Sequence, residues 1–268
     1  MEKTNDNKYV IGITQGDING IGYEVIFKAL ADPDIYKDCT FVIYGSPKIA
    51  AFHRKQLNLP NITVNNANDA SELLPRTVNI INVCDDKALV ELGSNTIQAG
   101  ECSLASIHRA QQDLKNKLID MLVAAPANQF NINDAGFRFA GLPESVAQEM
   151  GCRNFVLIFA GQKIKRASAT SPMPLASVPA SITAEKILWK IRTLAKSLRD
   201  DFAIRKPRIA VLGLNPFASD YGVFGQEEGE KIHPAILKAS DEGIACFGPY
   251  GADGFFASEA YEKFDEQY

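Results

Sequence analysis

The chain has 268 residues, of which 46% are hydrophobic and 22% are charged, and its formal net charge is −4. This composition is typical of a globular protein with a substantial core, and it excludes disordered and fibrous proteins. Charges of both signs are interspersed, so the sequence carries no basic footprint for nucleic acid or for a membrane surface. Small molecules or other proteins are the expected partners.

Short apolar runs of strand length alternate with helix-length patterns along the chain. In chain order, the strand-like runs cover residues 9–14, 40–44, 78–83, 121–125, 155–159, 209–214 and 244–247. The helix-like patterns cover residues 23–31, 101–117, 144–150, 184–198 and 227–241. Because alternating strands and helices build a parallel or mixed sheet covered by helices on both faces, the sequence predicts an α/β protein.

A polar, turn-rich segment at residues 128–136 separates two groups of these elements. We place a domain boundary there, which gives an N-terminal α/β subdomain of residues 1–130 and a second α/β subdomain of residues 131–268. The N-terminus lacks the apolar segment of a signal peptide, and no stretch approaches the roughly 20 apolar residues that span a bilayer. Five dispersed cysteines without a C-x-x-C pair indicate reduced thiols, so we expect a cytoplasmic protein.

The residues from Gly16 to Gly22, GDINGIG, follow a predicted strand and precede a predicted helix. Backbone N–H groups in such a loop can face an anion at the helix N-terminus, which makes Gly16, Asp17, Gly20 and Gly22 candidate ligand-binding residues. Their spacing matches neither the dinucleotide-binding nor the phosphate-binding glycine motif. A tight turn in which glycine supplies a positive φ explains the same residues, and the sequence alone leaves both interpretations open.

A second candidate site follows the predicted strand at residues 209–214, which Asn215-Pro216 ends. The loop behind it carries amide, hydroxyl and carboxylate side chains at the carboxyl end of a strand, where α/β proteins bind ligands. Its candidate binding residues are Asn215, Gly225 and Glu227. Asp253 follows another predicted strand, and its carboxylate could orient a substrate hydroxyl or simply cap a helix or turn.

Four stretches of the chain match, in order, the motifs of one enzyme family. Residues 12–24, GITQGDINGIGYE, resemble its opening G-I-T-x-G-D-x-x-G-I-G-x-E, and residues 215–228 resemble its N-P-H-A-G-x-x-G-x-x-G-x-E-E loop. Residues 125–126, 131–136 and 139–141 resemble its T-[AG]-P-x-x-K and G-H-T-E region, and residues 248–253, GPYGAD, resemble its G-P-x-x-A-D. The chain therefore resembles the 4-hydroxythreonine-4-phosphate dehydrogenases, NAD-dependent enzymes of vitamin B6 biosynthesis.

The resemblance implies a fold similar to isocitrate and isopropylmalate dehydrogenases, in which two α/β/α subdomains flank a cleft that a dimer partner helps to complete. It also implies NAD and a divalent metal as cofactors, a small phosphorylated substrate and a homodimer. In this family a substrate hydroxyl is oxidised by hydride transfer to NAD, and the product then loses carbon dioxide. The resemblance makes Asp253 a catalytic residue and assigns substrate or cofactor binding to the two loops.

The histidines that bind metal in this family are not found at the matching positions. Pro172 and Phe217 stand where the first two ligands are expected, and the third, in a Y-H-D-Q-G segment, would fall after Tyr268. The substrate-binding pair of the G-H-T-E motif reads Leu142-Pro143. Neither a proline ring nor a phenyl ring offers a lone pair to a metal ion, so the sequence predicts that no metal binds there.

The three histidines of the chain, His53, His108 and His233, form no ligand motif, and we expect ordinary surface or packed side chains. Gln129 stands in place of a family lysine. These differences predict a divergent, C-terminally shortened homologue in which the NAD-dependent oxidation and decarboxylation is impaired. Two alternatives are a non-catalytic homologue that binds a small molecule or phosphate, and an inactive fragment.

Overall fold

The computed structural model describes residues 9–85, 87–152, 154–162, 164–264 and 266–267. The chain divides into two compact units, Met1–Phe139 and Ala140–Tyr268, each of which contains its own sheet and its own core of buried apolar side chains. Among the described residues, no helix is long and apolar enough to cross a lipid bilayer.

The first unit alternates strands and helices. Its strands are β1 (Tyr9–Thr14), β2 (Cys39–Gly45), β3 (Val64–Ala67), β4 (Val78–Asn82) and β5 (Met121–Ala124). Its helices are α1 (Gly22–Ala29), α2 (Pro47–Gln56), α3 (Ile97–Lys115) and α4 (Gln129–Asp134), and Pro33–Tyr36 forms a 3₁₀ turn. All neighbouring strands are parallel, in the order β3-β4-β2-β1-β5, so the predicted parallel sheet is confirmed in this unit.

The core of the first unit lies between this sheet and its helices. Tyr23 and Phe27 are one turn apart on α1, so both face inwards, where they pack with Ile49 of α2. Helix α2 begins at Pro47 because the Ser46 hydroxyl accepts a hydrogen bond from the Ile49 N–H at 3.3 Å. The packing fixes the strand ends from which the candidate loops extend.

The structure differs from the prediction of a loop at residues 128–136, and His53 takes the packed alternative of its prediction. Residues 128–136 were expected to form a polar loop, yet Gln129–Asp134 is helical, and the Asn128 side chain caps it by accepting from the Phe130 N–H at 3.0 Å. A short helix with so few apolar residues has no periodic pattern to reveal it. His53 is packed and only 1% exposed, and its Nε2 donates to the Ile18 carbonyl at 2.8 Å.

The second unit has a mixed sheet. Its strands are β6 (Ile158–Ala160), β7 (Lys165–Ala167), β8 (Arg208–Leu212), β9 (Ala245–Tyr250) and β10 (Glu266–Gln267). Its helices are α5 (Leu142–Glu149), α6 (Val178–Ser181), α7 (Ala184–Asp200), α8 (His233–Asp241) and α9 (Ala252–Ala257). Single turns of 3₁₀ or π type occur at Leu175–Ser177, Pro216–Ser219, Glu228–Ile232 and Ala260–Lys263. The strand order is β6-β7-β10-β8-β9, in which only β6 and β7 are antiparallel.

Helix α7 supplies the main apolar face of the second unit. Ile187, Ile191, Leu194 and Leu198 recur every three or four residues, and all four are buried against β8 and α8. The predicted strand at residues 155–159 is displaced to Ile158–Ala160 because Phe155 is held by α7. The Lys190 ammonium donates to the Phe155 carbonyl at 2.6 Å and lies 4.9 Å from the centre of its ring.

Candidate functional site

Asn215 follows strand β8 and lies at the carboxyl end of the second sheet. Pro216 has no N–H group, so the strand cannot continue through it. The Asn215 N–H donates to Glu228 Oε1 at 2.6 Å, and its Nδ2 donates to Glu227 Oε2 at 2.8 Å and to Glu228 Oε2 at 2.9 Å. Two carboxylates at the far end of residues 215–228, which we call the Asn215 loop, therefore hold its first residue.

Gly225 passes directly beside this cluster, with a φ of +146°. A Cβ atom at this position would lie 2.4 Å from Asn215 Nδ2 and 2.8 Å from Glu227 Oε2. Both distances are far inside van der Waals contact, so the site requires glycine. The structure thus brings together Asn215, Gly225 and Glu227, the three residues that the sequence singles out in this loop.

The two carboxylates that hold Asn215 differ in environment. Hydrogen bonding from the Asn215 amide holds the pKa of the Glu227 carboxyl below its ordinary value. Glu228 is only 3% exposed, and both of its oxygens accept from Asn215. Sequence analysis did not select Glu228, although the Glu-Glu doublet of the loop motif marks it. Its place at the centre of the cluster makes it the anchor of the loop.

A left-handed turn follows Asn215. Residues Phe217, Ala218, Ser219, Asp220 and Tyr221 have φ values of 55°, 52°, 69°, 45° and 56°, and Gly222 continues the turn at 94°. For an L-residue other than glycine, this conformation costs roughly 1–2 kcal/mol. Strain of this kind persists only where the surroundings impose it, and it is concentrated at functional sites. The anchored ends of the Asn215 loop supply that constraint.

We expect Tyr221→Gly to raise the free energy of unfolding by about 0.5–1 kcal/mol. The substitution relieves a left-handed φ at a fully exposed side chain, and the greater flexibility of glycine in the unfolded chain offsets part of the gain. Val223→Gly is the matched control, because Val223 is 72% exposed and lies outside the left-handed region. It should lower stability. Urea denaturation of both variants measures the difference, and a loss of stability in Tyr221→Gly would contradict the strain argument.

Asp253 lies in the first turn of α9, where its carboxylate is exposed at a helix N-terminus. The segment that leads to it runs beside the Asn215 loop, since a Cβ atom on Gly251 would lie 3.4 Å from the Phe217 Cα. This neighbourhood follows from strand order, because β8 and β9 are adjacent and parallel and both loops leave their carboxyl ends. Asp253 and Asn215 therefore extend from the same end of the second sheet.

The N-terminal glycine loop, residues 16–22, turns several of its polar groups inwards. The Asp17 N–H donates to the Pro126 carbonyl at 2.9 Å, and the Gly20 N–H donates to the Asp17 carbonyl at 3.1 Å. The Asp17 carboxylate is 8% exposed, and it accepts from the Asn19 N–H at 2.8 Å and from Asn131 Nδ2 at 3.3 Å. These contacts stiffen the turn, and the backbone N–H groups of Asp17 and Gly20 are already hydrogen-bonded within the protein.

The other members of the N-terminal glycine loop are packed against neighbouring backbone. Gly16 lies against Pro126, and Gly22 begins α1 against the Gln15 carbonyl. Asn131, on α4, was not selected as a site residue by sequence analysis. Its contact with Asp17 joins positions 114 residues apart, and no local pattern in one sequence signals such a contact.

Comparison with known protein families matches residues 37–267 to the pyridoxal phosphate biosynthetic protein PdxA. The chain belongs to the PdxA family. Its relatives include the 4-hydroxythreonine-4-phosphate dehydrogenase of Bacteroides thetaiotaomicron, which is 42% identical over 97% of this chain and 71% of its own length. The enzyme of the same name from a Sulfurihydrogenibium species is 33% identical over 95% of this chain and 77% of its own length. The family resemblance read from the motifs is confirmed.

Solved PdxA-family structures share the fold. The 4-hydroxythreonine-4-phosphate dehydrogenase of Klebsiella pneumoniae superposes with a TM-score of 0.81 at 25% identity, covering 98% of this chain and 80% of that protein. A putative enzyme of the same name from Salmonella typhimurium gives a TM-score of 0.80 at 25% identity, with coverages of 97% and 80%. The predicted α/β fold of the isocitrate dehydrogenase-like type is confirmed by these matches.

At the two positions where the motif resemblance implies metal ligands, the residues of this chain do not fit a divalent metal. Pro172 is exposed in an irregular segment, and Phe217 is 76% exposed within the left-handed turn. Neither side chain has a lone pair to donate, and a metal site needs several such donors. Throughout the part of the chain that the structure describes, no three His, Cys, Asp or Glu side chains are grouped so as to hold a metal ion.

Proposed function

We propose that this chain keeps the ligand-binding scaffold of the 4-hydroxythreonine-4-phosphate dehydrogenases but catalyses their metal-dependent oxidation slowly or not at all. The proposal rests on Pro172 and Phe217, because neither side chain has a lone pair that could bind a metal ion. In a metal-dependent dehydrogenase the metal polarises the substrate oxygen and stabilises the charge that develops on it, which is worth several kcal/mol. No step of the reaction can run through a metal held by these two side chains.

The proposed binding residues of the second unit are Asn215, Gly225 and Glu227. Their mutual contacts support this role, because a loop that is hydrogen-bonded to its own carboxylates presents a preformed surface at the carboxyl end of the sheet. We assign to the exposed Asp253 carboxylate the orientation of a substrate hydroxyl. In the first unit, the N-terminal glycine loop is the proposed second binding element.

The cofactor and substrate of the proposal come from the family resemblance. They are NAD and a small phosphorylated hydroxyamino acid, bound by a cytoplasmic homodimer. Gly16 and Gly22 pack against the backbone of Pro126 and Gln15, so the binding role of the N-terminal glycine loop rests on the family resemblance alone.

The test compares this chain with the 42% identical relative from Bacteroides thetaiotaomicron. With NAD and 4-phosphohydroxythreonine, we expect a kcat/KM at least about a hundredfold below that of the relative, since each 1.36 kcal/mol of lost transition-state stabilisation is about tenfold in rate. Calorimetric titration with zinc, magnesium or manganese should reveal no stoichiometric tight site in this chain. A submicromolar one-to-one metal site, or activity equal to that of the relative, would overturn the proposal.

A second candidate is a non-catalytic protein that binds a small molecule or phosphate. The observation that favours it is the cluster of Asn215, Glu227 and Glu228 in a loop whose Phe217 offers no metal donor. Titration of the chain with NAD and with 4-phosphohydroxythreonine separates the candidates. Binding without turnover supports this second function, whereas an absence of both binding and turnover identifies an inactive fragment.

A further inference from the structure

Two cysteines that lie on either side of residues 85–101 are neighbours inside the first unit. Cys84 follows β4, and Cys102 lies near the start of α3, where it is 4% exposed. Gln15 joins them, because its Nε2 donates to Cys84 Sγ at 3.0 Å and to the Cys102 carbonyl at 3.1 Å. Both side chains belong to the same apolar cluster of the first unit. The two cysteines are therefore neighbours that share the Gln15 amide, and both are free.

The two thiols differ in pKa and in accessibility. Donation from the Cys102 thiol, aided by the Gln15 amide and opposed by burial, lowers the pKa of Cys84. Its hydrogen bond to Cys84, together with burial, raises the pKa of Cys102. Cys84 is also the more accessible of the two, since it is only partly buried. A thiolate is the form of cysteine that reacts with oxidants, so Cys84 is the expected point of attack.

We propose that Cys84 and Cys102 form a reversible dithiol–disulfide pair that responds to hydrogen peroxide. In the first step the Cys84 thiolate attacks one peroxide oxygen, the O–O bond breaks, and a sulfenic acid forms while the other oxygen leaves as water after taking up a proton. In the second step the Cys102 sulfur attacks the Cys84 sulfur, the S–O bond breaks, and the hydroxyl leaves as a second water. The two thiols lose two electrons to one peroxide molecule.

The position of the pair gives the cross-link a structural effect. It would close a loop of the chain between the two cysteines, and residues 91–96 of that loop already contact Asn19 of the N-terminal glycine loop. Asn19 Nδ2 donates to the Ser94 carbonyl and to Thr96 Oγ1, both at 3.0 Å, and its Oδ1 accepts from the Glu91 N–H at 2.7 Å. Oxidation therefore ties the docked loop to α3 and reduces the motion of the N-terminal glycine loop.

The decisive measurement uses the unmodified protein in its folded state. After exposure to a stoichiometric amount of hydrogen peroxide, remaining thiols are blocked with iodoacetamide and the protein is mapped by mass spectrometry without reduction. We expect one linked peptide pair, Cys84 with Cys102, two hydrogens lighter than the reduced pair and restored by dithiothreitol. Free thiols at both positions after oxidation, or linkage of either one to another cysteine, would overturn the proposal.

Two variants test the assigned order of attack. Cys102→Ser removes the resolving thiol, so Cys84 should stop at the sulfenic acid, which a cyclic diketone such as dimedone traps. Cys152→Ser is the matched control, because Cys152 is exposed and its sulfur donates elsewhere, to the Asn154 carbonyl at 3.1 Å. It should form the same disulfide as the parent. Loss of the Cys84–Cys102 link in Cys152→Ser would show that the disulfide arises by exchange and would overturn the direct route.

Discussion

Gly100→Ala is expected to lower the free energy of unfolding by about 3–4 kcal/mol. Gly100 lies on α3 where that helix crosses α4, and a Cβ atom there would lie 2.0 Å from the Asn131 carbonyl oxygen and 2.6 Å from its carbonyl carbon. The obstructing atoms are backbone, so no side-chain rotation relieves the overlap. Helix α4 must move, and with it the Asn131 amide that contacts Asp17.

Thermal unfolding by circular dichroism measures the loss, and hydrogen exchange by mass spectrometry assigns it to the first unit. Gly254→Ala is the matched control: Gly254 is on α9, and a Cβ atom there would meet no heavy atom within 4 Å. Because alanine is the better helix former, this control should be neutral or stabilising by up to about 1 kcal/mol. Equal behaviour of the two variants would show that α4 does not press on α3 as described.

Glu228→Ala should cost about 3 kcal/mol of unfolding free energy. The carboxylate is buried and accepts two hydrogen bonds from Asn215, and each bond to a charged group contributes about 1.5–3 kcal/mol when it is not replaced. The substitution also leaves two Asn215 donors without their acceptor. The Asn215 loop should loosen, and the left-handed turn that it constrains should relax.

Urea denaturation followed by the fluorescence of Trp189, the single tryptophan of the chain, reports on the unit that contains this cluster. Glu227→Ala is the control within the same loop, since Glu227 is less buried and accepts one hydrogen bond from Asn215, whereas Glu228 accepts two. Its unfolding midpoint should stay close to that of the parent. A midpoint shift in Glu227→Ala as large as that in Glu228→Ala would contradict the anchoring role of Glu228.

Much of the fold could be predicted because strong periodic patterns coincide with its elements. The strand at Tyr9–Thr14 was predicted with its observed bounds, and the apolar stripe of α7 predicted a helix over residues 184–198 where the structure has Ala184–Asp200. The missed helix α4 has a polar sequence, and its existence depends on a cap at Asn128 and on packing against α3. Tertiary contacts of that kind leave no periodic trace in the chain.

Only part of the candidate site could be predicted from the sequence. Asn215, Gly225 and Glu227 lie in one loop with a recognisable spacing, so their association could be inferred from sequence. The inward orientation of Asp17 and the meeting of Cys84 with Cys102 depend on which loops fold together, and one sequence does not contain that information. The left-handed turn was also unforeseen, because Phe217, Ala218 and Tyr221 are of types that ordinarily avoid positive φ.

The left-handed turn also determines how this surface can change by mutation. At positions 217–222, substitutions that elsewhere count as conservative, such as valine, isoleucine or threonine, are the least acceptable, because β-branched side chains are most disfavoured at positive φ. Glycine, asparagine and aspartate are the best tolerated. A combinatorial library over these six positions should therefore be restricted to glycine, asparagine and aspartate. The left-handed backbone, more than the chemistry of any ligand, therefore limits which amino acids this loop tolerates.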